Sequence, residues 1–131
     1  LRAMPGAYVL LVDDDETFRD ALTALLTRHG YRVVSVKDGE AAVAQLCQDE
    51  TPDLILLDLK MPGMDGLQFR QIQRQYLRWA AIPVVVLSGS ITPSLAAQLQ
   101  VADTLPKNTP LRTLLDTIEQ HRQRRESLPP A

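Results

Sequence analysis

Three uninterrupted apolar runs limit what this chain can fold into. They are four or five residues long and lie at Tyr8–Val12, Leu54–Leu57 and Val84–Leu87. A strand with one face in water alternates apolar and polar side chains, whereas a strand covered on both faces is apolar throughout. The runs therefore predict three central strands of a sheet that is buried between two layers.

Segments with helical periodicity alternate with the strand candidates. After the first run, apolar residues recur at helical spacing at Phe18, Leu22, Leu25 and Leu26. Similar patterns follow the other two runs, and weaker strand candidates at 31–36 and 102–105 complete five strand-then-helix units. This alternation predicts an α/β fold: a five-stranded, parallel, doubly wound sheet of order 2-1-3-4-5 with helices on both faces, as in flavodoxin-like proteins.

Length and composition indicate one globular domain. The chain has 131 residues, of which 45% are hydrophobic and 23% charged, as is typical of globular proteins. We expect the domain to occupy residues 7–124. Residues 1–6 are then a disordered start or a cloning remnant, and residues 125–131 are a linker or tail.

Charge and cysteine content narrow the location and the partners. The net charge is only −2, and no apolar run approaches the roughly 20 residues that span a bilayer. The single cysteine, Cys47, cannot form an intramolecular disulfide, which suits a reducing compartment. We therefore expect a cytoplasmic protein whose domain contacts neither membrane nor nucleic acid.

Polar residues stand at the carboxyl ends of the predicted strands. Asp13 and Asp14 follow the first run, Asp58 the second and Ser88 the third, while Lys107 lies just past the weak fifth strand. A parallel sheet gathers these ends at one edge. Two carboxylates about 4 Å apart repel by about 4 kcal/mol at an effective dielectric of about 20, so the cluster must share protons or hold a cation. Oxygen ligands at an open edge favour Mg²⁺, and an aspartate is an established nucleophile toward phosphorus.

Several motifs, in chain order, resemble the receiver domain of bacterial response regulators. They are Val12-Asp13-Asp14, Leu57-Asp58, Met61-Pro62-Gly63-Met64-Asp65-Gly66, Ser88-Gly89 and Leu105-Pro106-Lys107. The resemblance runs from about Tyr8 to Arg122. It implies a signalling switch that accepts a phosphoryl group from a histidine kinase or phosphotransfer protein. Such a domain catalyses only its own phosphorylation and dephosphorylation. Because the fifth strand is polar and lies at the sheet edge, we expect a homodimer to form through the fourth helix, fifth strand and fifth helix.

The resemblance also implies roles for the residues at the strand ends. Asp58 is similar to the phosphoacceptor of the family. Asp13 and Asp14 resemble the acidic pair that holds Mg²⁺ together with Asp58 and the backbone carbonyl of Lys60. Ser88 resembles the hydroxyl that follows the phosphoryl group, and Lys107 resembles its ion-pair partner.

Two positions depart from the family pattern. Asn108 follows the lysine where the family usually has proline, so we expect a different arrangement of the loop that holds Lys107. Thr104 stands where the family tends to carry the tyrosine or phenylalanine that rotates on activation. These departures leave open how the signal passes from the site to a partner.

Three other functions compete with the switch. A Mg²⁺-dependent phosphohydrolase with an aspartate nucleophile would carry its general acid two residues after Asp58, where Lys60 stands. A flavin binder on the same sheet would need a Ser/Thr/Gly-rich loop after the first strand, where the acidic residues lie. The third alternative is a receiver-like interaction module that does not cycle phosphate, for which Thr104 and Asn108 are the relevant residues.

Overall fold

The computed structural model describes residues 7–89 and 91–127, the last five of these by backbone alone. The strands are β1 (Tyr8–Val12), β2 (Arg32–Val36), β3 (Leu54–Leu57), β4 (Val84–Leu87) and β5 (Asp103–Leu105). The helices are α1 (Glu16–Arg28), α2 (Gly39–Leu46), α3 (Gly66–Gln75), α4 (Leu77–Ala80), α5 (Pro93–Leu99) and α6 (Leu111–Ser127).

The ends that we assign outside the domain are only partly covered by this description. Residues 1–6 and 128–131 lie outside the described residues, whereas residues 125–127 form the last turn of α6. The predicted fourth and fifth helices correspond to α5 and α6. Among the described residues, no helix is long and apolar enough to cross a membrane.

All five strands form one parallel sheet in the order β2-β1-β3-β4-β5. Every residue of β1, β3 and β4 is buried, whereas the edge strands β2 and β5 are half-buried or exposed. The apolar runs are therefore the central strands, and the predicted order and fold class are confirmed.

Alternate residues of the central strands feed two separate cores. On one face, Leu10 and Leu57 pack with α2, α3 and α5. On the other face, Leu11 and Leu56 pack with α1 and α6. Because both faces are covered, the strands need no polar alternation. A polar residue comes directly after the carboxyl end of each central strand.

The short helix α4 is a feature that the sequence pattern did not indicate. α3 ends at Gln75, the next residue, Tyr76, has an extended backbone, and α4 begins at Leu77. The buried side chain of Gln73 donates to the carbonyls of Trp79 and Ile82, at 2.7 and 3.1 Å. This side chain therefore supplies the hydrogen bonds that the chain needs where it turns back toward β4.

A buried arginine fixes the carboxyl end of α5 against α3. Arg70 donates to the carbonyls of Leu99 at 3.0 Å and of Gln100 at 2.6 Å, and it also contacts Gln73. Gln100 has a left-handed backbone with φ of 51°, and its side chain accepts a bond from Arg74. Burial, with the charge of Arg74 nearby, lowers the pKa of Arg70 to about 10, so the guanidinium stays charged at neutral pH. The last carbonyls of α5 thus find a cationic partner.

The start of α3 packs directly below the end of β3. Asp65 caps the helix through a reciprocal pair of hydrogen bonds with Gln68. The Gly66 amide donates to the Leu59 carbonyl at 3.0 Å. A Cβ on Gly66 would lie 2.6 Å from the carbonyl oxygen of Asp58 and 2.7 Å from the Leu59 Cα, so only glycine allows this approach.

We predict that Gly66→Ala destabilises the domain by about 1–3 kcal/mol, because the added methyl group overlaps backbone atoms that cannot move freely. Urea unfolding measures the change. Gly89→Ala is the matched control: a Cβ there would meet nothing within 4 Å, so its stability should match the wild type. Equal unfolding midpoints for the two variants would contradict this account of the packing.

Candidate functional site

The predicted site residues lie at adjacent strand ends, as the parallel register requires. Val12 pairs with Leu57 across β1 and β3, so Asp13 and Asp58 occupy corresponding positions one residue later. The Asp58 amide continues the ladder by donating to the Val12 carbonyl at 2.9 Å. Both aspartates are buried, although they belong to the residue type that is seldom buried without a partner.

The loop between β1 and α1 holds Asp13 in a fixed orientation. Its Oδ1 accepts a hydrogen bond from the Asp15 amide at 2.9 Å. Its backbone carbonyl accepts one from Arg19 Nη1 at 2.8 Å. Asp15 in turn caps α1 by accepting from the Phe18 amide. The first turn of α1 therefore anchors the acidic loop.

Asp14 lies in the same loop but faces solvent. Carboxylate oxygens of Asp13, Asp14 and Asp58 lie within 4.8 Å of one another, with Asp14 exposed and the other two buried. The three predicted acidic residues therefore form one cluster with an open side.

The surroundings of Asp58 disfavour a negative charge on its carboxyl group. Its Oδ1 receives one long contact, 3.4 Å from the Lys60 amide. Burial and the neighbouring charge of Asp13 raise the pKa of Asp58, and Lys107 only partly offsets them. A negative charge on Asp58 is therefore costly unless a further cation is present.

Lys107 brings the positive charge to the cluster. Its Nζ lies 2.9 Å from Asp13 Oδ2 and 3.6 Å from Asp58 Oδ2. Partial burial opposes the charge, but the contact with Asp13 and the charge of Asp58 outweigh it and raise the pKa of Lys107. The ammonium is therefore fully charged at neutral pH and bridges the two buried carboxylates.

The loop that carries Lys107 is a tight turn. The Thr109 amide and hydroxyl both donate to the Pro106 carbonyl, at 3.0 and 2.6 Å, which places Lys107 and Asn108 at the two central positions. Asn108 thus takes a turn position that suits its residue type. With this arrangement, the lysine reaches both carboxylates.

Ser88 occupies the corresponding position after β4. It is buried, and its amide donates to the Leu105 carbonyl at 3.0 Å. Gly89 beside it is exposed, and Ser90 lies outside the described residues. The strand register therefore places Ser88 at the same edge of the sheet as Asp58.

The acidic cluster fits a hard divalent cation. Asp13 Oδ2 is buried and accepts no hydrogen bond of regular geometry from the described residues, so Lys107 is the group that balances its charge. Three carboxylates with one open side are the kind of donor set that Mg²⁺ binds while keeping several waters.

Sequence reasoning missed two residues that contact this site. Phe18 has its ring centroid 5.0 Å from Lys107 Nζ, and Arg19 donates to the Asp13 carbonyl. The helical pattern assigns Phe18 to the core, and it is half-buried against the core cluster that lies between the sheet and helices α1 and α6. Their place three and four residues after the cap Asp15 is the one signal that could have indicated them, since these positions face back over the loop.

Comparison with known proteins identifies the family. Residues 9–119 of the chain match the family model of the response regulator receiver domain. The protein PilH of Pseudomonas aeruginosa is 36% identical over 115 residues, which are 86% of this chain and 94% of PilH. The response regulator protein FleR of the same organism is 37% identical over 119 residues, covering 88% of this chain but only 24% of FleR.

The fold comparison agrees with the sequence comparison. The BeF₃-activated N-terminal receiver domain of RstA from Klebsiella pneumoniae superposes with a TM-score of 0.77 at 28% identity, covering 88% of this chain and 98% of that one. The chain therefore belongs to the response regulator receiver domain family, the signalling domains of two-component systems.

Proposed function

We propose that the protein is a phosphorylation switch in which Asp58 accepts a phosphoryl group from a histidine kinase or a phosphotransfer protein. The observation that carries the proposal is the buried Asp58, next to a bridging ammonium and two further carboxylates, in a member of the receiver family. A lone surface aspartate would lack both the cation and the acidic pair that phosphoryl transfer requires.

In the transfer step, an oxygen of Asp58 forms a bond to phosphorus while the bond from phosphorus to the donor's imidazole nitrogen breaks. The electron pair of that bond stays on the imidazole. Lys107 and the hydroxyl of Ser88 then provide an ammonium and a hydrogen-bond donor for the phosphoryl oxygens. The Mg²⁺ that we expect at Asp13, Asp14, Asp58 and the Lys60 carbonyl supplies positive charge to those oxygens when it is bound.

The electrostatics of the site indicate why transfer changes its structure. A phosphoryl group adds about 1.5 to 2 negative charges to a cluster in which burial and the charge of Asp13 already raise the pKa of Asp58. Lys107 cannot stay centred between Asp13 and Asp58 once a stronger anion lies beside it. Its movement pulls on the turn at Pro106–Thr109, which connects β5 directly to α6.

We expect this movement to change the surface formed by α5, β5 and α6, and a partner could detect the change there. Buried His121 on α6 lies 3.2 Å from Asp103 on β5, so the strand and the helix are tied together. Thr104, the middle residue of β5, is half-buried and has no aromatic ring that could rotate. We therefore expect shifts of the backbone to carry the signal. We propose that this surface mediates homodimer formation, that the domain contacts no nucleic acid or membrane itself, and that it acts in the cytoplasm.

We predict that the purified protein takes up about one equivalent of phosphate from acetyl phosphate with Mg²⁺, and that beryllofluoride with Mg²⁺ shifts its NMR spectrum. Mass spectrometry and two-dimensional NMR measure the two effects. The reason is that Asp58 directly follows the central strand β3 and lies beside Lys107, whereas Asp13, which follows β1, already accepts a hydrogen bond from the Asp15 amide and lies closer to Lys107.

Asp58→Asn is the control for this experiment. It removes a charge that is unfavourable where it stands, so it should fold at least as stably as the wild type and still gain no phosphate. A wild type that behaves like this variant would leave the interaction module that does not cycle phosphate as the better description. Release of more than one equivalent of phosphate from a small phosphate ester would favour the phosphohydrolase.

We predict that Asp14→Ala weakens Mg²⁺ binding about tenfold or more without loss of stability, because the carboxylate is exposed and belongs to the cluster. Isothermal titration calorimetry measures the affinity. Asp20→Ala is the matched control, since it removes an exposed carboxylate of α1 outside the cluster. Unchanged affinity in Asp14→Ala, or an equal loss in Asp20→Ala, would exclude Asp14 from the metal site.

A further inference from the structure

The contact between Lys107 and Phe18 has a geometry that stabilises a cation. The ammonium nitrogen lies 5.0 Å from the centroid of the Phe18 ring. Cations within about 6 Å of a ring centroid are attracted by the negative face of the ring, and more strongly where water is partly excluded. Lys107 meets this condition because its side chain is 31% exposed while Asp13 and Asp58 beside it are buried.

Phe18 is itself held in place by the loop that carries the acidic residues. Its amide donates to Asp15 Oδ1 at 3.1 Å, which fixes the first turn of α1. The same turn carries Arg19, which donates to the carbonyl of Asp13. The ring and the first carboxylate of the cluster therefore belong to one rigid unit, and Lys107 approaches that unit from the opposite loop.

The contact with Phe18 matters because the Lys107 side chain could otherwise adopt other rotamers. A cleft of about 180 Å³ opens beside it between α1 and α6, lined by Phe18, Leu22, Leu25, Leu87 and Leu114 among others. A lysine side chain loses much rotamer freedom when it is ordered, and it sits here on a two-residue turn. The Phe18 ring lines this cleft, lies 5.0 Å from the ammonium and adds an attraction that an aliphatic side chain cannot.

We propose that Phe18 is a positioning residue for phosphoryl transfer: its ring holds the Lys107 ammonium over Asp13 and Asp58. The inference rests on the proposed function, since it concerns the same site. The simpler explanation is that Phe18 only packs against the core between α1 and α6, to which it also belongs. The two explanations differ in what a leucine at this position can replace, because leucine keeps apolar volume but has no π face.

The experiment compares Phe18→Leu with Phe18→Tyr, which keeps the ring. In Phe18→Leu, beryllofluoride affinity and the rate of phosphorylation by acetyl phosphate should both fall about two- to five-fold. Phe18→Tyr should stay near the wild type. Leu25→Ala is the packing control, because it removes apolar atoms from the same cleft and the same helix but no aromatic ring.

A structural measurement on the same proteins does not depend on phosphorylation. The Lys107 Hε protons of the wild type should show upfield ring-current shifts that Phe18→Leu abolishes and Phe18→Tyr retains. Absence of these shifts in the wild type would overturn the inference, even if Phe18→Leu failed to fold. So would a loss of affinity in Leu25→Ala as large as that in Phe18→Leu. A wild type that shows the shifts but never responds to beryllofluoride would remove the proposed function and, with it, the role in transfer.

Discussion

The ion pairs of Lys107 with Asp13 and Asp58 are the interaction on which the site depends. Two carboxylates buried at neighbouring strand ends repel, and the ammonium at 2.9 and 3.6 Å is the positive charge that joins them. Leaving a buried charge without its partner typically costs about 3–5 kcal/mol. Burial and then the charge of Asp13 raise the pKa of Asp58, and Lys107 offsets them only in part. The three carboxylates of the cluster could therefore hold another cation.

Much of this arrangement follows from the sequence because a parallel sheet converts chain order into position. Solid apolar runs can only be central strands, and a central strand must place its next polar residue at the sheet edge. Asp13, Asp58 and Ser88 each follow such a run directly, so their convergence needs no knowledge of side-chain packing. Lys107 was harder to place, because β5 has three residues and no apolar run to mark its end.

The remaining features depend on contacts between distant segments, which periodicity does not encode. The loop after β1 has three aspartates in a row with different environments. Asp13 is buried and forms an ion pair with Lys107, Asp14 is exposed, and Asp15 caps α1. The environment of each aspartate depends on the path of the loop that connects β1 to α1. Arg70 looks like an ordinary surface residue of an amphipathic helix, but the left-handed Gln100 turns the last carbonyls of α5 toward it.

These same contacts determine where a charge added at Asp58 can produce movement. The carboxyl end of α5 is fixed by Arg70, and β5 is tied to α6 by the pair of Asp103 and His121. We expect the amino end of α5 and the turn that carries Lys107 to respond. Ser88 precedes the first of these in the chain and Lys107 lies in the second, so the phosphoryl group that we propose on Asp58 would act on both. If the amino end of α5 moves while Arg70 holds its carboxyl end, the helix would tilt, whereas a helix free at both ends would shift as a whole.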